Sequence, residues 1–501
     1  MKMTNEHDES YSHILKYTGV FGGVQGLNLM IGLVRNKFVA LLLGPGGMGL
    51  ASLLNSVQGF VSQSTNLGIS SSAIPRLSET YERQDHEELC HQIQIVRMWS
   101  LIAAIFGFVL CIVISPLLNK LTFSWGNHTL HYALLAPSVA MLAITGGETA
   151  IMKATRRLSS LAKVQVVSAI ASLFITIPLY YYFWQAAIVP VIVLTSFVVM
   201  VATLFYSLRF FPLKQNLSRK MTILSEGSGL VKLGMAFIIG GAFMQAAEVI
   251  IRSVMNNSAE LDVVGFYNAG YSLTVYYAAI VLSSIESDFF PRLSAISDDQ
   301  SKMNTAINQE IEVLLLMISP MLVGLMVFLP VLVPLFYTSE FAVVIPMAQV
   351  SVFAMYMKSI SLPVCYITLA KKDSRSYLLL ELLYCIYFVT LVLVGFHLWG
   401  LLGTGIALAA AHTIEVVVAT VYGHFRYHYK MTSTVIRYIV IQLSVGVLTY
   451  LVTCMLDGVA YWLVGVLLVA ANMAFSLYVL YQKTSLWPKL SDKVKSKFSR
   501  K

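Results

Sequence analysis

Apolar and polar positions alternate on a long scale in this chain: fourteen hydrophobic stretches are separated by short polar loops. Their approximate limits are 14–43, 47–75, 93–118, 130–153, 161–183, 186–210, 229–256, 262–291, 309–336, 342–369, 376–398, 400–426, 434–456 and 459–481. A helix that crosses a bilayer core needs about 20 mostly apolar residues, and each stretch meets that length. The loops after the first, fifth, ninth and eleventh stretches are very short, which predicts helical hairpins there. No loop is long enough to bury a core of its own. The expected fold class is an all-α integral membrane protein of about 14 transmembrane helices.

The pattern is stated twice. A shift of 216 positions carries Pro75-Arg76-Leu77-Ser78 onto Pro291-Arg292-Leu293-Ser294, Lys16 onto Lys232, Gly49 onto Gly265, Ser56 onto Ser272 and Tyr206 onto Tyr422. One ungapped offset over that length is the mark of duplication. Each copy holds six spans, an even number, so both enter from the same side and the repeats are parallel, related by an axis along the membrane normal. The expected domains are two six-helix bundles, 1–217 and 218–433, a helix pair at 434–482 and a basic tail at 483–501.

Composition agrees with the pattern. The chain is 57% hydrophobic and 12% charged, whereas soluble domains carry about 25% charged residues. Its start is polar and acidic, unlike a cleavable signal peptide. The five cysteines are scattered without metal-ligand spacing, so neither zinc nor a disulfide framework is implied.

The net charge of +9 raises the question of nucleic acid, and its placement answers it. With the N-terminus inside, Arg76, Arg83, Lys153, Arg156, Arg157, Arg209, Lys214, Arg219, Arg292, Lys371, Lys372, Arg426 and Arg437 all fall in cytoplasmic loops, and the outer loops hold only Lys120. Such asymmetry fixes orientation, with both termini cytoplasmic. The basic tail then sits against anionic headgroups, and no nucleic-acid partner is expected.

Polar residues inside the spans point to chemistry, because charge there is costly. The first span carries Gln25, Asn28, Arg35 and Asn36 within roughly a 100° arc. The seventh carries Gln245, Glu248 and Arg252 on one narrow face. The 216 shift places Asn36 on Arg252 and Gly32 on Glu248, so the two stripes occupy equivalent faces and predict one shared wet cavity. Glu248 is also one turn from Arg252, close enough to pair with it. Lys37 lies off the stripe and is expected to snorkel. Asn55 and Gln58 on the second span suit either sugar hydroxyls or helix–helix bonds, and Tyr267 and Tyr271 suit either sugar stacking or packing. Lys358, well inside the tenth span, is a third cavity cation. The candidate substrate-binding set is thus Arg35, Arg252, Gln25, Asn28, Asn55, Gln58, Glu248 and Lys358. Glu381 and Glu415 are candidates for ion coupling.

The stretch Leu43-Gly44-Pro45-Gly46-Gly47-Met48-Gly49-Leu50, followed by Leu67-Gly68-Ile69 and Pro75-Arg76, is similar to the turn after the first helix of Wzx-type O-antigen and enterobacterial common-antigen flippases. With two parallel six-helix halves and a late helix pair, the chain resembles the polysaccharide-transport branch of the multidrug/oligosaccharidyl-lipid/polysaccharide (MOP, MATE-like) exporter superfamily. The resemblance implies translocation of an undecaprenyl-pyrophosphate-linked oligosaccharide across the bacterial inner membrane. Related lipid II flippases carry cavity arginines on helices 1, 2 and 8. Arg35 matches the first of these places; the second and eighth spans have no interior arginine, and Arg252 stands on the seventh.

The expected function is therefore a lipid-linked glycan flippase, not an enzyme. A pyrophosphate calls for guanidinium or ammonium partners, and a large sugar head calls for a polar cavity. No GxxxxGK[ST] nucleotide motif is present. No cofactor or metal is expected; the small co-substrate is a coupling proton or sodium ion. Partners on this reading are the polyprenyl-linked glycan, membrane lipids, a polysaccharide polymerase and a chain-length regulator. A cation-coupled multidrug exporter of the same fold would need an acidic outer cavity where the stripes hold arginines. A membrane-embedded glycosyltransferase or polymerase would need gathered acid–base groups and a long loop.

Overall fold

The computed structural model describes residues 2–212 and 220–483. Helix accounts for 91% of it, with no strand among the described residues. In chain order the helices are α1 (Lys2–Thr65), α2 (Ile69–Glu82), α3 (His86–Thr122), α4 (Thr129–Leu134), α5 (Ala136–Ala154), α6 (Leu158–Phe183), α7 (Ile188–Phe210), α8 (Lys220–Ser258), α9 (Leu261–Ala295), α10 (Gln300–Phe336), α11 (Ile345–Ala370), α12 (Ser374–Tyr427), α13 (Ser433–Met455) and α14 (Gly458–Lys483). Ten stretches among the described residues are long and apolar enough to cross a membrane. Three of the ten are divided by sharp backbone breaks, at Gly44 in α1, at Trp184 between α6 and α7, and at Trp399–Gly400 in α12.

Among the helices that begin well before their apolar stretches, two start at side-chain caps. α3 begins at His86, seven residues before the predicted start, because Asp85 caps it by accepting from Glu88 N (3.1 Å). α10 starts at Gln300 for a similar reason, with the Asp299 carboxylate accepting from Ser301 N and Lys302 N, both 3.1 Å. The second stretch, read as continuous over 47–75, is interrupted at 66–68. There the Asn66 side chain accepts from Gly68 N (2.7 Å), and Leu67 and Gly68 both take positive φ. A local side-chain bond of this kind competes with the helix ladder.

The chain forms two compact units. One comprises Met1–Asn268, Leu335–Phe341 and Leu378–Leu393; the other comprises Ala269–Pro334, Ala342–Tyr377 and Val394–Lys501. In the first, the second half of α1 packs Leu53, Leu54, Val57 and Val61 against Cys111 of α3, Val139 of α5, Tyr180 of α6 and Ile188 of α7.

In the second unit α10 and α11 are antiparallel: Tyr356 meets Ser319 (2.9 Å), and Gln349 Nε2 donates to Met326 O (3.5 Å), so one index rises as the other falls. The break at Gly400 (φ 57°) folds α12 back on itself, and only glycine enters that backbone region without strain. A Cβ on Gly403 would lie 1.9 Å from Gly395 O, and Tyr427 at the far end donates to the Asp373 cap (3.0 Å). The Ser376 hydroxyl bond to Asp373, despite some desolvation and helped by further bonds and Arg426, holds that carboxyl below the usual range.

α13 and α14 are inside-out compared with a helix of a soluble protein. Gln442, Thr449, Asn472 and Ser476 are buried, while Val440, Leu448, Leu451 and Leu467 are exposed, as expected where lipid replaces water. Ser319 donates to Gln442 Oε1 (2.6 Å) and accepts from Asn472 Nδ2 (2.9 Å), and Gln442 Nε2 donates to Ser476 (3.1 Å). Interhelical bonds of this kind contribute up to about 1.7 kcal/mol each in membranes. Gln442→Leu should therefore lower stability in detergent by about 1–2 kcal/mol, read as an earlier unfolding midpoint; an unchanged midpoint would mean that the network carries no load.

Candidate functional site

The polar stripe of α1 lies along α6. Asn28 Nδ2 donates to Gln165 Oε1 (3.4 Å), and Arg35 Nη1 donates to Ser172 Oγ (3.2 Å). Both pairs are 137 positions apart, so the two helices run parallel at this seam. Arg35 remains exposed and Asn28 half-buried. Gln58 is buried and donates to Ser196 of α7 (3.3 Å). Asn55 is exposed and turns to Ala51 O of its own helix (2.7 Å). The side chain of Gln25 lies outside the described residues. The Lys37 ammonium donates to the Tyr337 carbonyl just past the end of α10.

Arg252 is enclosed. It pairs with Glu248 one turn away on α8, donates from Nε to Ser52 Oγ (2.8 Å) and from Nη2 to Asn268 Oδ1 (3.4 Å), and lies over the Tyr267 ring (5.8 Å). Ser52 and Asn268 are 216 positions apart, so one guanidinium spans two positions that the repeat makes equivalent.

The neighbouring contacts have the same character. A Cβ on Gly49 would lie 2.2 Å from Leu261 O, and one on Gly265 would lie 2.0 Å from Pro45 O. Pro45 and Leu261 are related by 216, as are Gly49 and Gly265, so this contact is its own image under the shift. Gly46 likewise faces its equivalent, Asp262, with a Cβ there 2.6 Å from Oδ1. Only glycine permits helix backbones to approach this closely.

The same end of α8 is tied to the end of α3. Asn256 Nδ2 donates to Thr122 O (2.8 Å), and Asn257 Oδ1 accepts from Ser124 N (2.8 Å).

Arg97–Glu148 and Lys358–Glu415 are two further ion pairs with a buried carboxylate. In the first unit, Arg97 binds Glu148 with Nε (2.7 Å) and Nη2 (3.1 Å), Ser207 donates to the same carboxylate (2.5 Å), and Arg97 also reaches Phe211 O (2.9 Å). Sequence reading passed over this group; a lone Glu in the fourth stretch and a lone Arg near the start of the third were its only signals. In the second unit, Glu415 accepts from Lys358 Nζ (3.1 Å) and His412 Nδ1 (2.6 Å), with Cys365 Sγ at 3.9 Å. The i, i+3 spacing of His412 from Glu415 stands in the sequence. Glu381 stands half-buried on α12, one turn before Cys385.

A family model described as polysaccharide biosynthesis protein matches residues 38–346, more than half of the chain. The chain belongs to this polysaccharide biosynthesis protein family. Among solved structures, the lipid II flippase MurJ in an inward closed conformation is similar to this family member with a TM-score of 0.71 at 13% identity, over 94% of this chain and 99% of that chain. An inward-facing multidrug resistance MATE family transporter of the MOP superfamily gives 0.66 at 15% identity, over 81% and 94%. A MOP superfamily transporter from Pyrococcus furiosus Vc1 (DSM3638) gives 0.61 at 15%, over 83% and 95%. The polysaccharide biosynthesis protein thus has a MATE- and MurJ-like fold. Comparison with curated protein sequences finds no match.

Proposed function

We propose that the chain flips a polyprenyl-pyrophosphate-linked oligosaccharide, such as an O-antigen or similar repeat unit, from the cytoplasmic to the outer leaflet of a bacterial inner membrane. It crosses the bilayer fourteen times with both termini cytoplasmic, as the loop charges imply. The observation that carries this reading is Arg252, a guanidinium bridging repeat-equivalent positions in a chain of a polysaccharide biosynthesis family. Guanidinium matches pyrophosphate geometry through bidentate bonds. Arg35, exposed on the first span, is the second anion contact; Asn28, Asn55, Gln58 and Gln25 supply polar contacts for the glycan.

In that orientation the Gly49–Gly265 contact and the Asn256–Thr122 and Lys37–Tyr337 bonds lie toward the outer side. They form a closed outer gate, and opening it while the inner side closes is alternating access. The cation-exporter reading needs acidic groups available to a cationic substrate, and Glu148, Glu248 and Glu415 each carry a basic partner.

Cysteines placed at Asn127 and Asn257 should react with an impermeant reagent from outside, and those at Arg219, Lys371 and Lys495 only from inside. Outside labelling of Lys371→Cys would break the orientation. In a deletion strain, finished lipid-linked repeat units should accumulate facing the cytoplasm; units left unelongated would instead favour an enzyme.

A further inference from the structure

Glu148 and Glu415, two of the buried carboxylates outside the Arg252 group, are each held by a basic side chain and a second donor group, and the difference between them is chemical. Glu148 is held by an arginine, which stays protonated, and by a serine hydroxyl. That set is fixed. Glu415 is held by a lysine and a histidine, both of which exchange protons.

The position of the second group argues against a passive role. Lys358 is thirteen residues past the start of α11 and twelve before its end, about 18–20 Å along the helix from either end. A lysine there cannot reach a headgroup. Of the three side chains Lys358 keeps 30% accessible, Glu415 11% and His412 7%. The group is therefore graded from an accessible ammonium to an enclosed imidazole.

The geometry also selects the ion. Sodium is a hard cation bound by oxygen ligands. Both Glu415 oxygens already accept from N–H donors, and an ammonium 3.1 Å away repels a second cation. A proton needs no set of oxygen ligands and binds a ring nitrogen. With Nδ1–H donated to Glu415, the His412 ring has Nε2 as the atom that takes another proton.

We infer that Lys358, Glu415 and His412 form a proton-carrying site, with His412 as the carrier, that couples movement of the lipid-linked glycan to a proton gradient rather than to sodium. The coupling rests on the flippase reading above; the protonation of the site does not. The titratable groups facing Glu415 among the described residues are Lys358 and Cys365 from α11 and His412 from its own helix. One proton taken at Nε2 from one aqueous side changes the group from neutral to +1, and its release to the other side restores neutrality. Lys358 meanwhile occupies the place that a coupling cation would take.

The test has two arms. In detergent without substrate, the melting temperature of the purified protein should vary between pH 5.5 and 8, and His412→Gln should remove that variation. Replacing choline by sodium at constant ionic strength should shift nothing in wild type. Lys358→Met, which vacates the cation position, should gain a sodium-dependent rise in melting temperature that Glu415→Gln abolishes. In proteoliposomes holding a fluorescent polyprenyl-diphosphate-linked sugar, an imposed pH gradient should speed flipping by wild type but not by His412→Gln, which should retain gradient-independent exchange. A wild-type sodium shift lost in Glu415→Gln, or a pH dependence indifferent to His412, would overturn the site. A pH-responsive wild type that flips no probe would instead overturn the proposed function, and the coupling with it.

Discussion

Replacing Arg252 with alanine should abolish surface-glycan display in a complemented deletion strain. Part of that loss will be structural. Arg252 is buried against Glu248 and bonded to Ser52 and Asn268, and removing one partner of a buried pair costs about 3–5 kcal/mol. The informative variant is Glu248→Ala/Arg252→Ala, which removes both charges. It should return protein to the membrane at near wild-type level and still fail to export. Arg252→Lys should retain part of the activity, because charge survives while the two-pronged geometry does not. Arg35→Ala should separate the roles more sharply. That residue is exposed and makes one bond, to Ser172, so its loss should leave protein level unchanged while display falls. Normal display by the Arg35→Ala/Arg252→Ala double variant, with protein quantified in parallel, would remove both residues from substrate handling.

The second large effect is expected from a single methyl group. In Gly49→Ala the new Cβ meets Leu261 O at 2.2 Å, and in Gly265→Ala it meets Pro45 O at 2.0 Å. These obstacles are backbone atoms, so no rotamer change relieves them, and overpacking of this kind typically costs 1–3 kcal/mol, here about the upper end. The outer gate should then fail to close. Asn256, buried in the wild type, should become reactive as Asn256→Cys toward an impermeant thiol reagent in the Gly49→Ala background. Because both substitutions wedge the same contact, the double variant should be little worse than either single one. Full export with no gain in labelling would mean that the helices part here without consequence.

Much of the helical architecture was legible, because apolar length decides it. The breaks at Gly44 and Gly400 stood in the sequence as glycine-bearing junctions between long apolar runs. The interruption at 66–68 was not legible: Asn66 reads equally as one more amide on a polar helix face, and only its bond to Gly68 N turns the chain. The polar stripes of the first and seventh stretches lie on α1 and α8, and their partners were not legible. Periodicity says that Asn28 and Arg35 share a face; it does not say that the face meets Gln165 and Ser172 of α6. Lys37 looked peripheral because it lies off that face, and it reaches the Tyr337 carbonyl three hundred positions away. Long-range partners of this kind follow from how helices cross, which a local pattern does not encode. The 216 shift was the exception. It relates Gly49 to Gly265, and those residues meet across one contact.

Flipping by the purified protein tests the central claim most directly. Proteoliposomes would carry a fluorescent polyprenyl-diphosphate-linked sugar in one leaflet, with a membrane-impermeant quencher added to report its arrival in the other. The account predicts transfer well above that of empty liposomes, lost in Arg35→Ala and in Glu248→Ala/Arg252→Ala. Transfer no faster than in empty liposomes, by protein that nevertheless exports a cationic dye, would contradict it.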